Sequence, residues 1–277
     1  MAVFLGVCVA ACFGSGDFLG GFVSRRTSTL TVLFFAQACA LALAVVYALA
    51  FSGDAGGDDL AFGAIAGGLN VAGLGVLYHG LATGRMGVVA PVTAVVAAII
   101  PVVYGTATGE NPSGLALAGV GCAIVAGGLI ARERSEGFDA HLLRELLLSG
   151  MAGAAFGASF VLYAETSEDS GFWPLLAGRS VAFPLVVLAV LVSRSRISAA
   201  PHDRVRAIAA GALDVSATAL LLVAVREGLK SLVAPLAALA PAFTVVLAWF
   251  VLSEPIARLQ VVGLVLALVG LSLIAAG

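Results

Sequence analysis

Charged residues are scarce in this sequence. Asp, Glu, Lys and Arg together make up 11% of the 277 residues, and Lys230 is the only lysine. A soluble domain carries roughly 25% charged residues, so a soluble protein of this length would lack the charge to cover its surface. The net charge of −2 also excludes the basic field that nucleic-acid binding requires. With 61% hydrophobic residues, the composition indicates a protein whose solvent is the lipid bilayer.

Motifs for metal, nucleotide or covalent chemistry are absent from the sequence. It contains neither a Gly-x-x-x-x-Gly-Lys-[Ser/Thr] motif nor a His-Glu-x-x-His motif, and no nucleophile is grouped with a base. No histidine is spaced to join the cysteines in a metal site, so we interpret the cysteines as packing residues. They are Cys8, Cys12, Cys39 and Cys122. We therefore expect no metal, no cofactor and no enzymatic activity.

Long apolar runs are what the sequence does contain. A spanning helix needs roughly 20 apolar residues. Ten runs qualify, at about 2–22, 29–51, 60–82, 86–107, 113–131, 146–165, 171–193, 206–226, 231–252 and 257–276. No basic residue precedes the first run, so we interpret it as a retained helix and not as a signal peptide. The predicted fold class is an all-α integral membrane protein with ten transmembrane helices.

The two halves of the sequence match each other. We place a first repeat at 1–131, a polar loop at 132–145 and a second repeat at 146–277. Four matches share an offset of 144 residues: Gly68-Leu69-Asn70-Val71 with Ala212-Leu213-Asp214-Val215, Ala90-Pro91 with Ala234-Pro235, Gly109-Glu110 with Ser253-Glu254, and Gly119 with Gly263. Because each half has five helices, the second is expected to be inverted, as in secondary transporters. One chain then supplies both halves of a site, so a monomer suffices.

Arginine is distributed unevenly between two sets of loops. The loops that follow the odd-numbered helices carry most of the arginines, whereas the other set is acidic apart from Arg226 and Lys230. Basic loops lie on the cytoplasmic side of membrane proteins. We therefore predict a multi-pass protein of the plasma (inner) membrane with both termini outside.

These features resemble the EamA-type transporters of the drug/metabolite transporter superfamily. The resemblance rests on the helix count, the five-plus-five repeat, and a small residue plus proline that begins the fourth and ninth helices, each of which ends in a glutamate (Glu110, Glu254). It implies a transporter, and members of this family export or import amino acids, sugars, nucleotide sugars, drugs and other metabolites. One departure is the second loop, which is basic in many bacterial relatives and acidic here, so their direction of transport is not carried over.

Polar residues inside the apolar runs are the candidate substrate-binding groups, because such groups need a partner or a wet cavity. Asn70 is repeat-equivalent to Asp214, and Gln37 to Arg179 at an offset of 142, which suggests a site that straddles the pseudo-twofold axis. Arg179 and Asp214 suit the carboxylate and ammonium groups of an amino acid. The alternative is a permanent ion pair that only ties helices together.

Four further side chains complete the predicted substrate site. They are Thr218, one turn from Asp214; Tyr78, which shares a wall with Asn70; His79, near the opposite face of that helix and more typical of packing or of an interface; and Asp17, which either faces the cavity or pairs with Arg25 or Arg26. We also predict hinges at Pro91, Pro101, Pro235 and Pro241, since a proline within a helix frees a backbone carbonyl.

The predicted function is that of a secondary transporter, an exporter that moves a small polar metabolite such as an amino acid by alternating access. A carboxyl group in a poorly hydrated cavity can release a proton when a ligand binds, so protons are a candidate coupling ion and membrane lipids are the surrounding partner. The alternative is a lipid-linked substrate translocator or scramblase on the same fold, which needs a groove open sideways to lipid.

Overall fold

The computed structural model of the chain describes residues 2–51, 53–109, 113–132, 140–226, 240–253 and 258–276. Regular structure within these ranges is helical, with one 3-10 turn at Glu168–Ser170 between two α-helices. The α-helices are α1 (Ala2–Ser24), α2 (Thr29–Ala50), α3 (Gly57–Thr83), α4 (Met86–Ala107), α5 (Gly114–Arg132), α6 (Ala140–Ala164), α7 (Trp173–Ser193), α8 (Pro201–Arg226), α9 (Ala240–Leu252) and α10 (Arg258–Ala276).

The helices lie where the apolar runs predict them, but two of them begin at least five residues earlier. α6 begins at Ala140 and not at 146, so it takes up the second part of the segment that we predicted as an inter-repeat loop. α8 begins at Pro201 and not at 206. A proline is well suited to the first helical position, and Asp203 in the first turn complements the helix dipole. Polar first turns extend these helices beyond their apolar runs, and hydropathy does not detect them.

Seven of the helices, α1 to α4 and α6 to α8, are long and apolar enough to cross a bilayer. α5, α9 and α10 contain shorter apolar segments within the described residues, and the first part of the ninth predicted run, 231–239, lies outside those residues. The outer surface is apolar as well. Leu49, Leu191 and Val192, for example, are 73%, 68% and 75% exposed. Such a surface is costly in water and compatible with lipid chains.

The first five helices pack largely against the last five. α1 contacts α8 and α9, and in the same way α6 contacts α3 and α4. α2 and α7 contact each other, and each also packs against the third helix of the other group, α8 and α3 respectively. α5 pairs with α10. Exchange of the two groups of five helices leaves this set of contacts unchanged.

Equivalent crossings use equivalent small residues. Gly67 of α3 packs on the backbone of Gly178 in α7, and Gly211 of α8 packs on the backbone of Ala36 in α2. Gly67 and Gly211 are 144 residues apart, and Ala36 and Gly178 are 142 apart. A Cβ on Gly67 or Gly211 would collide with the facing main chain. Glycine is therefore what lets these backbones approach so closely.

A second pair of crossings follows the same rule. Gly14 of α1 packs on the carbonyl of Ala240 in α9, and Gly157 of α6 packs on the carbonyl of Ala97 in α4. Each residue is 143 positions from its counterpart. The internal match of the sequence is thus reproduced in tertiary contacts between the two groups of helices.

The loops that carry most of the arginines meet at one end of the bundle. The Thr27 hydroxyl donates to the carbonyl of Ser198 at 2.9 Å, which joins the loop after α1 to the loop after α7. The Arg85 backbone N–H donates to Glu145 Oε1 at 2.8 Å, and its guanidinium contacts both carboxylate oxygens. The Glu145 side chain is 3% exposed. This buried ion pair ties the start of α4 to α6.

The acidic loops meet at the opposite end. Asp59 Oδ1 accepts from the Ser167 backbone N–H at 2.7 Å, and Asp59 Oδ2 accepts from the Ser167 hydroxyl at 3.0 Å. The indole of Trp173 donates to the carbonyl of Gly53 at 3.2 Å. The loops that precede α3 and α7 are therefore interlocked at this end of the bundle.

Candidate functional site

The guanidinium of Arg179 is the centre of a buried polar cluster. Arg179 is 1% exposed. Its Nη1 donates to Gln37 Oε1 at 3.3 Å and to Asn70 Oδ1 at 3.1 Å. Its Nη2 donates to Thr218 Oγ1 at 3.4 Å and lies 2.8 Å from Asp214 Oδ2. One side chain of α7 thus joins α2, α3 and α8, so the four polar residues at repeat-equivalent positions lie together.

The contact between Arg179 and Asp214 neutralises both charges. A buried ion that lacks a partner is costly, which accounts for the short ion pair. The Asp214 side chain is 8% exposed, and its Oδ2 accepts no hydrogen bond from the described residues. The Thr218 hydroxyl donates to the Asp214 carbonyl at 2.9 Å, which fixes Thr218 beside the pair. The contact is electrostatic more than directional.

Unused hydrogen-bonding capacity is concentrated in the same place. Arg179 Nε, Gln37 Nε2, Asp214 Oδ2 and Tyr163 Oη are buried and have no hydrogen-bond partner within the described part of the chain. Most buried polar atoms in proteins are paired, so each exception needs an explanation. Two donors, one acceptor and one hydroxyl around a single ion pair are what a small polar ligand needs.

Tyr163 is a site residue that the sequence analysis missed. It lies in α6, its hydroxyl faces the Gly178 crossing, and it interacts electrostatically with Arg179. A tyrosine near a helix end is typical of the membrane interface, so the sequence alone carries no signal for a central position. The close approach of α7 to α3 brings it inward.

Asp17 and Tyr78 extend the cluster towards α1. The ring of Tyr78 packs on Gly20, one turn from Asp17, and Tyr78 is 1% exposed. The Asp17 carboxylate interacts electrostatically with both Asp214 and Tyr78. Within the described residues Asp17 has neither a hydrogen bond nor an ion pair, and neither Arg25 nor Arg26 reaches it. Of the two options open from the sequence, the structure favours the one in which Asp17 faces the interior.

His79 lies apart from these residues. It is exposed, and its Nε2 is 3.0 Å from Nη2 of Arg144 in α6. The position next to Tyr78 turns it to the other side of α3, as the helical period requires. The structure therefore gives His79 no contact with the cluster.

The predicted hinge prolines fall into three situations. Pro91 and Pro101 lie inside α4, where each removes a helical hydrogen bond. Pro241 lies in the first turn of the described part of α9, a position that a proline tolerates. Pro235 lies outside the described residues. Pro184, inside α7, is a further helix proline that we did not predict as a hinge.

The fold and the buried charges define the class first: a helical integral membrane protein with its polar centre between two groups of helices. Residues 143–276 match the model of the EamA-like transporter family. The predicted resemblance to the EamA-type transporters of the drug/metabolite transporter superfamily is thereby confirmed over this part of the chain, and the match supports a membrane transporter of that type. Members of this family are transporters rather than enzymes. Comparison with curated proteins gives no significant match.

Proposed function

We propose that the chain is a secondary transporter that moves a small polar metabolite, such as an amino acid, by alternating access. It would do so with ten transmembrane helices arranged as two inverted repeats of five. The observation that carries the proposal is the buried cluster around Arg179, which lies between the two groups of helices.

Two equivalent sets of helix crossings support the inverted repeats. Gly67 corresponds to Gly211, and Ala36 to Gly178, at the same sequence offsets that relate the polar residues of the cluster to one another. Five helices is an odd number, so a repeat that crosses the membrane five times is inverted relative to the next. The ligand site of such a design lies at the interface of the repeats.

The chemistry of the cluster supports a polar cargo. Arg179 is 1% exposed, so the site is shielded from lipid by the helices that form it. Lipid chains offer no hydrogen bonds, and unpaired groups at this depth gain most from a ligand that is itself polar. The spare donors on Arg179 and Gln37 suit a carboxylate or a hydroxyl.

We further propose that the protein works as an exporter in the plasma membrane, with its basic end in the cytoplasm and both termini outside. The arginine-rich loops at one end of the bundle support the orientation. Protons are the proposed coupling ion, because the Asp17 and Asp214 carboxyl groups belong to the ligand site or lie beside it.

The test is flux into and out of proteoliposomes that contain the full-length chain, with panels of labelled amino acids, sugars, nucleosides and amines. We expect saturable flux of one chemical class that is lost in Arg179→Gln and in Asp214→Asn. Arg196→Gln is the matched control, because Arg196 is exposed on the loop after α7. Loading the solute on one side at a time, with and without a proton gradient, measures direction and coupling.

Two results would overturn the proposal. The first is solute flux that is the same in Arg179→Gln as in the wild type for every chemical class tested. The cluster would then only tie helices together. The second is an absence of solute flux together with rapid exchange of fluorescent lipids between leaflets, which would assign the lipid translocator.

A further inference from the structure

The inner face of α1 carries a carboxylate that nothing in the described residues neutralises. Phe13, Asp17 and Gly20 lie three or four residues apart and so share one face of the helix. Phe13 meets Phe160 of α6 with ring centroids 6.5 Å apart. Gly20 meets the ring of Tyr78 in α3. Asp17 therefore lies between α6 and α3, on the side that faces the bundle interior.

The arginines near Asp17 contact other groups. Arg179 and Asp214 form a neutral pair at 2.8 Å. The nearby arginines serve elsewhere: Arg25 donates to the carbonyl of Leu81 at 3.2 Å, and Arg26 lies over the Phe22 ring at 4.5 Å. When it is ionised, Asp17 thus adds one uncompensated negative charge beside the ligand cluster.

Asp17 also keeps part of its surface accessible, whereas Phe18 and Gly20 beside it are buried. Asp214, which Arg179 neutralises, interacts electrostatically with Asp17, so the ligand cluster supplies no surplus positive charge to the Asp17 carboxylate. A carboxylate at the bilayer centre costs about 2.5–3.5 kcal/mol by insertion scales. A cation that binds there recovers this cost.

The surroundings of Asp17 fit an organic cation. Aromatic faces attract ammonium groups, and a carboxylate next to aromatic rings is a common way to bind them. Phe13 lies one turn before Asp17, and Tyr78 packs on Gly20 one turn after it; these two side chains would supply the rings and Asp17 the charge. A metal ion would need several oxygen ligands, whereas an ammonium group needs one carboxylate and an apolar wall.

We propose that Phe13, Asp17 and Tyr78 form a cation subsite that binds the ammonium group of the transported ligand. The inference rests on the proposed transport function and narrows its substrate class to amines, including amino acids bound through their amino group. The ammonium then lies at Asp17 and not at Asp214, because Arg179 already occupies Asp214.

The experiment measures the thermal-unfolding midpoint of the purified full-length protein in detergent, at constant ionic strength. The probes are tetramethylammonium and phenethylamine, each compared with a neutral analogue, tert-butanol and 2-phenylethanol. A ligand that binds the folded state raises the midpoint in a saturable way. We expect both cations to do so and neither alcohol to match them.

Variants locate the effect. Asp17→Asn should weaken cation binding by about tenfold or more, since it removes a charged contact, whereas Asp17→Glu should keep most of it. Asp58→Asn is the control, because Asp58 is an exposed carboxylate at the start of α3. Should Asp17→Asn fail to fold, Asp17→Glu and the comparison of cation with alcohol in the wild type still decide.

Three results would overturn the subsite. They are equal shifts of the unfolding midpoint for a cation and its alcohol, no shift with either cation, and full cation binding in Asp17→Asn. The two proposals fail separately. Flux of a neutral or anionic solute without any cation shift would retain transport and remove the subsite. A cation shift that depends on Asp17 without flux in proteoliposomes would retain the subsite and remove transport.

Discussion

Removal of Arg179 should strongly destabilise the protein. Arg179 is 1% exposed, and the Asp214 side chain beside it is 8% exposed. Arg179→Gln would leave the Asp214 carboxylate buried without a counter-charge and would break the contacts to Gln37 and Asn70. Removing one partner of a buried pair costs about 3–5 kcal/mol, most of it from the charge left behind. We expect a loss of this size in the free energy of unfolding.

The double variant Arg179→Gln/Asp214→Asn separates charge from packing. Because it removes the stranded carboxylate, it should be more stable than Arg179→Gln alone by about 1–3 kcal/mol. Side chains in direct contact deviate from additivity by such amounts. The sign of the interaction energy between the two substitutions is informative. A pair that acts through shape alone would make the double variant less stable than either single variant.

The assay is reversible unfolding by denaturant in mixed micelles, followed through the fluorescence of Trp173 and Trp249. Arg196→Gln is the control and should stay within about 0.5 kcal/mol of the wild type, as exposed substitutions do. A loss below about 1 kcal/mol for Arg179→Gln would refute the reasoning, as would a double variant no more stable than that single variant. Either result would mean that Asp214 is compensated by another group.

Two further predictions concern the packing of the bundle and use the same unfolding assay. Gly67→Ala should cost about 1–3 kcal/mol of unfolding free energy because its Cβ would collide with the backbone of Gly178. The control is Gly68→Ala, whose Cβ has ordinary contacts and which should be neutral or stabilise by up to about 1 kcal/mol. Equal effects at both sites would contradict the close crossing of α3 and α7. Glu145→Gln should cost about 1.5–3 kcal/mol through its lost ion pair with Arg85, and no loss would mean that this tie contributes nothing.

Much of the helical framework is predictable from the sequence because lipid imposes a strong rule. A backbone in hydrocarbon must satisfy its own hydrogen bonds, so a run of about twenty apolar residues has essentially one structure. The starts of α6 and α8 are less predictable, since His141 and Arg144 or His202 and Asp203 lie in helical turns beyond the apolar runs. The membrane does not select the structure of those turns, so hydropathy gives no boundary there.

The site residues are predictable from the sequence where a charged side chain in an apolar run has a high free-energy cost. Arg179 and Asp214 are expensive in an apolar run, and their repeat offset adds a second signal. Tyr163 has neither signal, because its inward position depends on a crossing of backbones that only the tertiary structure defines. Glu145 falls in a segment that we predicted to be a loop. His79 was selected by residue type, although its position on the helix already turned it away from Asn70.

The contact between Gln37 and Arg179 has a consequence for the symmetry of the site. These two residues occupy equivalent positions, and their side chains touch at 3.3 Å, so they lie where a twofold axis would pass. A homodimer of identical five-helix subunits would place the same residue on both sides of that axis. Two arginines there would repel each other, and two glutamines would leave the centre without charge. In this chain one half supplies both charged residues, Arg179 and Asp214, and the other supplies the neutral amides of Gln37 and Asn70, which gives the centre a polarity that no symmetric dimer can have.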